Sequence, residues 1–122
     1  MPEQKIPGPD HPITIAPNPA RVTVRVGDRV VADTTAALNL NEANYPAVPY
    51  VPLADVDQSL LKPTDTSTHC PYKGDASYYS ITLPDGELTD VVWTYPTPYQ
   101  AVAEIAGHVA FYATKVEITQ AT

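Results

Sequence analysis

The chain has 122 residues, of which 14 are acidic and seven are basic, and its formal net charge is −7. This length is most simply one domain, and an acidic surface without a run of Lys or Arg argues against nucleic acid or membrane partners. The single cysteine excludes an internal disulfide and a four-cysteine zinc site, and it favours a cytoplasmic location.

Residues 1–20 are rich in proline, with Pro2, Pro7, Pro9, Pro12, Pro17 and Pro19. Proline has no backbone N–H and pushes the preceding residue towards extended conformations. The segment therefore predicts an extended arm that lies on the domain or is partly loose, and a single folded domain is expected over residues 21–122.

Alternating polar and apolar residues predict strands through the rest of the chain. Arg21 to Val26 and Arg29 to Thr34 form the first predicted hairpin, around Gly27, and a short strand is expected near Tyr50. Further strands are predicted at residues 68–70, 78–83, 87–95, 108–112 and 115–119.

Two segments favour helical structure. A helical turn is expected from Leu53 to Leu61, and one helix is predicted to start at Thr97, with a capping box that Gln100 completes and Gly107 as its end. The sum is a mainly β domain with one or two short helices, in which two small antiparallel sheets pack face to face or crossed.

Eight of the ten aromatic residues lie in the C-terminal half of the chain: Tyr72, Tyr78, Tyr79, Trp93, Tyr95, Tyr99, Phe111 and Tyr112. A core that happens to be rich in tyrosine explains this clustering. Because a buried tyrosine hydroxyl needs a hydrogen-bond partner, a wet pocket lined by aromatic side chains explains it equally well.

Cys70 and Lys73 are the candidates for catalysis. In an extended segment His69 and Cys70 point to opposite faces, so the base that a Cys70 thiolate needs would have to be Lys73 or His108; a buried, inert cysteine is the favoured reading. A zinc site from these histidines and the cysteine lacks any paired short spacing, and we expect neither metal nor cofactor.

Lys73 lies in the turn sequence PYKGDA. It is either a solvated turn lysine or a cation at the rim of a pocket, where it would hold a carboxylate or phosphate of a ligand. No phosphate-binding glycine motif accompanies it.

The blocks HCPYKGDASYYS and VWTYPTPYQAVAEIAGHVAFY resemble the bacterial "domain of unknown function 427" family, which also carries a nucleotidyltransferase label. The resemblance extends from about residue 13 to residue 118. It implies the β-tent, or Mss4-like, fold, in which two small antiparallel sheets meet at an angle.

Relatives of that fold include methionine sulfoxide reductase B and the ligand-binding domain of cereblon. Many of them hold zinc with two CxxC pairs, which this chain lacks, and others bind small ligands in an aromatic cage between the sheets. The resemblance would place Tyr79, Trp93, Tyr95 and Phe111 in a comparable cage.

Three hypotheses for function follow. The first is binding of a small molecule in an aromatic pocket between the sheets, with the candidate residues His69, Lys73, Tyr79, Trp93, Tyr95, His108, Phe111 and Tyr112. The second is an enzyme of nucleotidyl transfer or thiol chemistry that uses Lys73 or Cys70. The third is an interaction module, such as a homodimer that forms through a strand edge or the arm.

Overall fold

The computed structural model describes residues 4–121, whose ten strands form two antiparallel sheets. The seven-stranded sheet contains, in order, β1 (Ile13–Pro17), β4 (Leu38–Glu42), β5 (Val48–Pro52), β9 (His108–Phe111), β8 (Gly86–Thr94), β7 (Gly74–Leu83) and β6 (Leu61–Cys70). The three-stranded sheet contains β10 (Glu117–Ala121), β2 (Arg21–Val26) and β3 (Arg29–Thr34). The predicted mainly β fold with two antiparallel sheets is confirmed.

The two sheets pack against each other through branched aliphatic side chains. The alternation in β2 buries Val22 and Val24, which meet Val92 and Val109 of the larger sheet in one hydrophobic cluster. Full burial of each such side chain contributes roughly 1.5–3 kcal/mol to folding. The space between the sheets is therefore filled by core packing.

The opposite face of the seven-stranded sheet carries a second hydrophobic cluster. It is more aromatic than the first, and its buried members are Leu40, Tyr50, Ala76, Tyr95, Val102, Ile105 and Ala110. Trp93 and Tyr78 pack against this cluster. Most of the chain's aromatic surface thus lies on the face that points away from the smaller sheet.

A buried asparagine joins the two sheets near the start of the domain. The Asn18 side-chain amide donates to Asn39 of β4 (3.2 Å) and to Gln120 of β10 (2.9 Å), and its oxygen accepts from the Ala20 N–H. Because a buried amide is stable only when it is hydrogen bonded, Asn18 fixes the chain where it passes from one sheet to the other.

Three short 3-10 helices are present among residues 4–121: Leu53–Asp55, Gln58–Leu60 and Gln100–Ile105. The helix predicted to start at Thr97 is wrong in its start and its type, since Tyr99 is its extended N-cap and Val102 leaves the helical region. The reason is tertiary: the Tyr99 N–H donates to the Lys73 carbonyl, 3.0 Å away, which holds the preceding residues in an extended path.

Part of the proline-rich segment belongs to the larger sheet. Residues 13–17 form β1, which pairs with β4, and neither strand was among those predicted. Ahead of β1, the Lys5 N–H donates to the Pro71 carbonyl (2.7 Å), and the His11 ring stacks on Tyr72 at 4.0 Å. Within residues 4–121 no helix is long and apolar enough to cross a membrane.

Candidate functional site

A cleft of about 410 Å³ opens where strands β5 and β9 separate. The two strands pair only at Val51–Val109 and Pro52–His108, and an unbroken register would place Pro49 opposite Phe111. Pro49 has no N–H to donate to such a ladder. Residues 48–50 pair with β4 alone, so the sheet splits at this point and leaves a concave surface.

The cleft has a buried end and an exposed mouth. It is lined on one side by Leu40, Glu42 and residues 45–50, and on the other by Lys73, Trp93, residues 111–113 and Ile118. Leu40 and Tyr50 are buried and close its inner end, whereas Tyr45 (66% exposed) and Tyr112 (42% exposed) stand at the mouth. The three-stranded sheet contributes only Ile118 to this lining.

Aromatic side chains form the main wall of the cleft. The Trp93 Nε1–H donates to the Tyr50 hydroxyl at 3.2 Å, and the two rings meet edge to face. The Tyr112 ring lies 4.7 Å from Trp93. Burial raises the pKa of Tyr50 to about 12, against a smaller opposing effect of the Trp93 hydrogen bond, so this hydroxyl keeps its proton at neutral pH.

A mostly buried ion pair lies at the inner end of the cleft, close enough to Tyr50 for the charge of Glu42 to raise the pKa of that tyrosine. Lys73 Nζ donates to Glu42 Oε1 at 2.5 Å, His11 Nε2 lies 2.7 Å from Glu42 Oε2, and the side chains of Lys73 and Glu42 are 13% and 17% exposed. Burial alone would raise the pKa of Glu42, but the hydrogen bonds and charges of Lys73 and His11 outweigh it and lower the pKa. Lys73 Nζ also lies 5.7 Å from the Tyr95 ring centroid.

Backbone contacts hold Lys73 in place. It lies in the turn between β6 and β7, where its N–H donates to the Cys70 carbonyl and its carbonyl accepts from Tyr99. Gly74 follows at φ +112°, and a Cβ there would lie 3.4 Å from the Thr97 carbonyl oxygen. Only glycine combines this conformation with so close a crossing of the chain.

Five of the predicted ligand-binding residues lie at or beside the cleft. Lys73, Trp93, Phe111 and Tyr112 line it, and Tyr95 packs beneath Lys73. Burial, and then the nearby Tyr50 and Cys70, raise the pKa of Tyr95.

The other three predicted residues lie outside the cleft. Tyr79 is on the opposite face of β7 and packs into the core between the sheets. His69 is 2.8 Å from Asp75 at the end of β6, and His108 Nδ1 is 3.0 Å from the Ala106 carbonyl oxygen. The position of the cleft also differs from the expected one, because aliphatic packing fills the space between the sheets.

Sequence reasoning missed Glu42, Tyr45 and Tyr50 as site residues. The signal that was available is the segment NYPAVPYVP, in which prolines alternate with two tyrosines and prevent continuous strand pairing. Glu42 carries no local signal, since its two partners are 31 residues away in each direction along the chain.

The described residues offer little for covalent or metal chemistry. Within residues 4–121, no hydrogen bond is made to the Cys70 thiol, which packs against the second hydrophobic cluster. The same residues contain no group of three His, Cys, Asp or Glu side chains placed to hold a metal ion.

The fold and the cleft define a small two-sheet β domain with an aromatic concavity and an ion pair in its lining. The chain belongs to the family described as "Domain of unknown function (DUF427)", labelled NTP_transf_9, whose model matches residues 14–122. No curated protein matches the chain.

Proposed function

We propose that the protein binds a small, largely apolar molecule in the cleft. The observation that supports this most directly is the aromatic and aliphatic lining of a concavity of about 410 Å³ with a few polar groups at its inner end. Ligand pockets in proteins typically measure roughly 300–1,000 Å³ and combine the same two features. A bound molecule would cover apolar surface of Tyr45, Trp93 and Tyr112 that water now contacts.

The size of a depression alone does not decide between sites on this molecule. A larger depression, of about 520 Å³, is lined by residues 25–27 and 113–118, none of which is aromatic. Aromatic rings supply large contact areas at a small loss of conformational entropy. The cleft is for this reason the better ligand site, although it is the smaller of the two.

The alternatives gain less support from the contacts. An enzyme that uses Cys70 needs a base within reach of its thiol, and none contacts it within residues 4–121. A homodimer through the β6 edge would have to overcome Lys62, Pro63, Asp65 and a break in register, features that discourage edge-to-edge pairing. Because the chain has a single cysteine, we also propose that the protein resides in a reducing compartment, the cytoplasm.

Trp93 allows a direct test, because it is the only tryptophan in the chain and lines the cleft. A library of small aromatic and aliphatic molecules would be screened against the full chain by tryptophan fluorescence and by the single indole N–H resonance. Binding in the cleft is expected to shift both signals saturably, since a ligand replaces water at the indole ring.

A matched pair of variants separates the cleft from other surfaces. Tyr112→Ala removes a ring that contacts Trp93, and we expect it to weaken binding about 3- to 10-fold. Tyr99→Ala removes a half-buried ring outside the cleft, beside His69, and is expected to leave binding unchanged. Equal effects of both changes, or a library in which no molecule shifts the Trp93 signals, would contradict the proposal.

A further inference from the structure

The acceptor atoms of the ion pair are already occupied. Among residues 4–121, Glu42 is the only carboxylate that lines the cleft, and Lys73 and His11 contact its two oxygens separately. A ligand that approaches with a cationic or strongly donating group therefore has to displace one of these two partners. The inner end of the cleft lacks a free carboxylate oxygen for such a group.

Two donors at the same end remain available. Lys73 carries three N–H bonds, and the only acceptor that contacts its Nζ within residues 4–121 is Glu42 Oε1. The Tyr50 hydroxyl accepts from Trp93, and no atom of the described residues accepts its hydrogen. Tyr50 is 1% exposed, and its raised pKa keeps that hydrogen in place. A buried O–H without an acceptor favours a ligand that supplies one.

The charges of Lys73 and Glu42 disfavour an anionic ligand. The positive charge of Lys73 is matched by Glu42 at 2.5 Å, so a ligand carboxylate beside Lys73 would also lie close to the Glu42 carboxylate. Like charges at such a separation repel each other, more so when partly buried. A carbonyl oxygen accepts the same hydrogen bonds without a net charge.

We infer that the ligand of the cleft is a neutral molecule with an apolar body and a carbonyl-type oxygen, which accepts from the Tyr50 hydroxyl and from Lys73. This inference rests on the proposed function, because it concerns the same cleft. The apolar body lies along Trp93, and the oxygen lies at the inner end.

Three probes of equal ring and chain length test the inference on the full chain. They are 3-phenylpropanamide, 3-phenylpropanoate and 3-phenylpropylammonium, titrated at neutral pH with the Trp93 indole resonance as the readout. The amide is expected to bind most tightly. It should bind about 3- to 10-fold better than the ammonium, which offers no acceptor to Tyr50 or Lys73, and better than the carboxylate, which Glu42 repels.

Tyr50→Phe keeps the ring and removes the donor, and the amide is then expected to lose much of its advantage over the ammonium. Its advantage over the carboxylate, which accepts the same hydrogen bond, should persist. Tyr112→Phe removes a hydroxyl that hydrogen bonds to Tyr78 and is the matched control, in which the advantage should persist. If either ion binds as tightly as the amide, or if Tyr50→Phe leaves the ratio of amide affinity to ammonium affinity unchanged, the inference is overturned while binding in the cleft stands. If none of the probes moves the Trp93 resonance at millimolar concentration, both the inference and the proposed function fail.

Discussion

The Lys73–Glu42 ion pair offers the sharpest test of how the site is held together. Lys73→Met keeps the apolar stem and removes the donor, so within residues 4–121 Glu42 retains only its contact with His11. Glu42→Gln keeps the shape of the side chain but leaves the charge of Lys73 without a carboxylate. The double variant Lys73→Met/Glu42→Gln contains neither charge.

The exposure of the pair sets the expected magnitude. Exposed ion pairs contribute about 0–1 kcal/mol, whereas removing one partner of a fully buried pair costs about 3–5 kcal/mol. With 13% and 17% exposure, Lys73 and Glu42 lie near the buried limit but still touch water. We therefore expect each single change to lower the free energy of unfolding by about 2–3 kcal/mol.

The double variant leaves no unpaired charge, so its loss should also be about 2–3 kcal/mol instead of the sum of the two single losses. Urea unfolding at neutral pH, followed by Trp93 fluorescence, measures all four proteins. A coupling energy below about 0.5 kcal/mol would refute the reasoning, because it would mean that water screens the pair as it does at an open surface.

The pH dependence of the stability difference between the wild-type chain and Glu42→Gln gives a second measurement. The pKa of Glu42 is lowered in the folded protein, so the stability that its charge contributes is fully present above the ordinary glutamate pKa of about 4.3. This contribution is lost as the pH falls through the lower, folded value. The difference in the free energy of unfolding between the wild-type chain and Glu42→Gln should therefore become smaller below about pH 4.

Three further changes test the fold around the cleft. Gly74→Ala should cost about 1–3 kcal/mol of stability, since φ is +112° there, whereas Gly8→Ala, with open space around it, should be nearly neutral in the same urea assay. Ile81→Ala empties a fully buried position and should cost about 2–5 kcal/mol, against at most about 0.5 kcal/mol for the exposed Ile6→Ala; similar losses for both would contradict the assigned core. Cys70→Ala should leave the affinity for 3-phenylpropanamide within about twofold of the wild-type value, because the thiol does not line the cleft. A larger loss would mean that Cys70 contributes to binding.

Strand β2 shows why some strands could be predicted from the sequence alone. In β2, Val22 and Val24 alternate with polar residues, and that period alone predicts a half-buried strand. The strands that were missed, β1 and β4, lie in segments where proline or asparagine interrupts the pattern. Their pairing depends on each other and not on local preference.

The helix predicted to start at Thr97 shows the opposite error, in which local signals predicted a structure that the folded chain does not adopt. The local signals at Thr97 and Gln100 satisfy the rules for a capping box, yet the hydrogen bond from Tyr99 to the Lys73 carbonyl keeps the chain extended until residue 99. A contact between segments about 26 residues apart therefore overrode a preference worth about 1 kcal/mol.

By itself, the sequence determined that this is a mainly β domain, that its aromatic residues gather in one half of the chain, and that Lys73 lies in a turn, because composition and residue spacing are local properties. Only the tertiary structure decided that Pro49 opens the sheet beside Phe111, that Tyr79 and His108 lie away from the cleft, and that Glu42 reaches Lys73. Those outcomes depend on strand register and on which segments cross. Both are set by the packing of the whole chain, and no short segment of the sequence encodes them by itself.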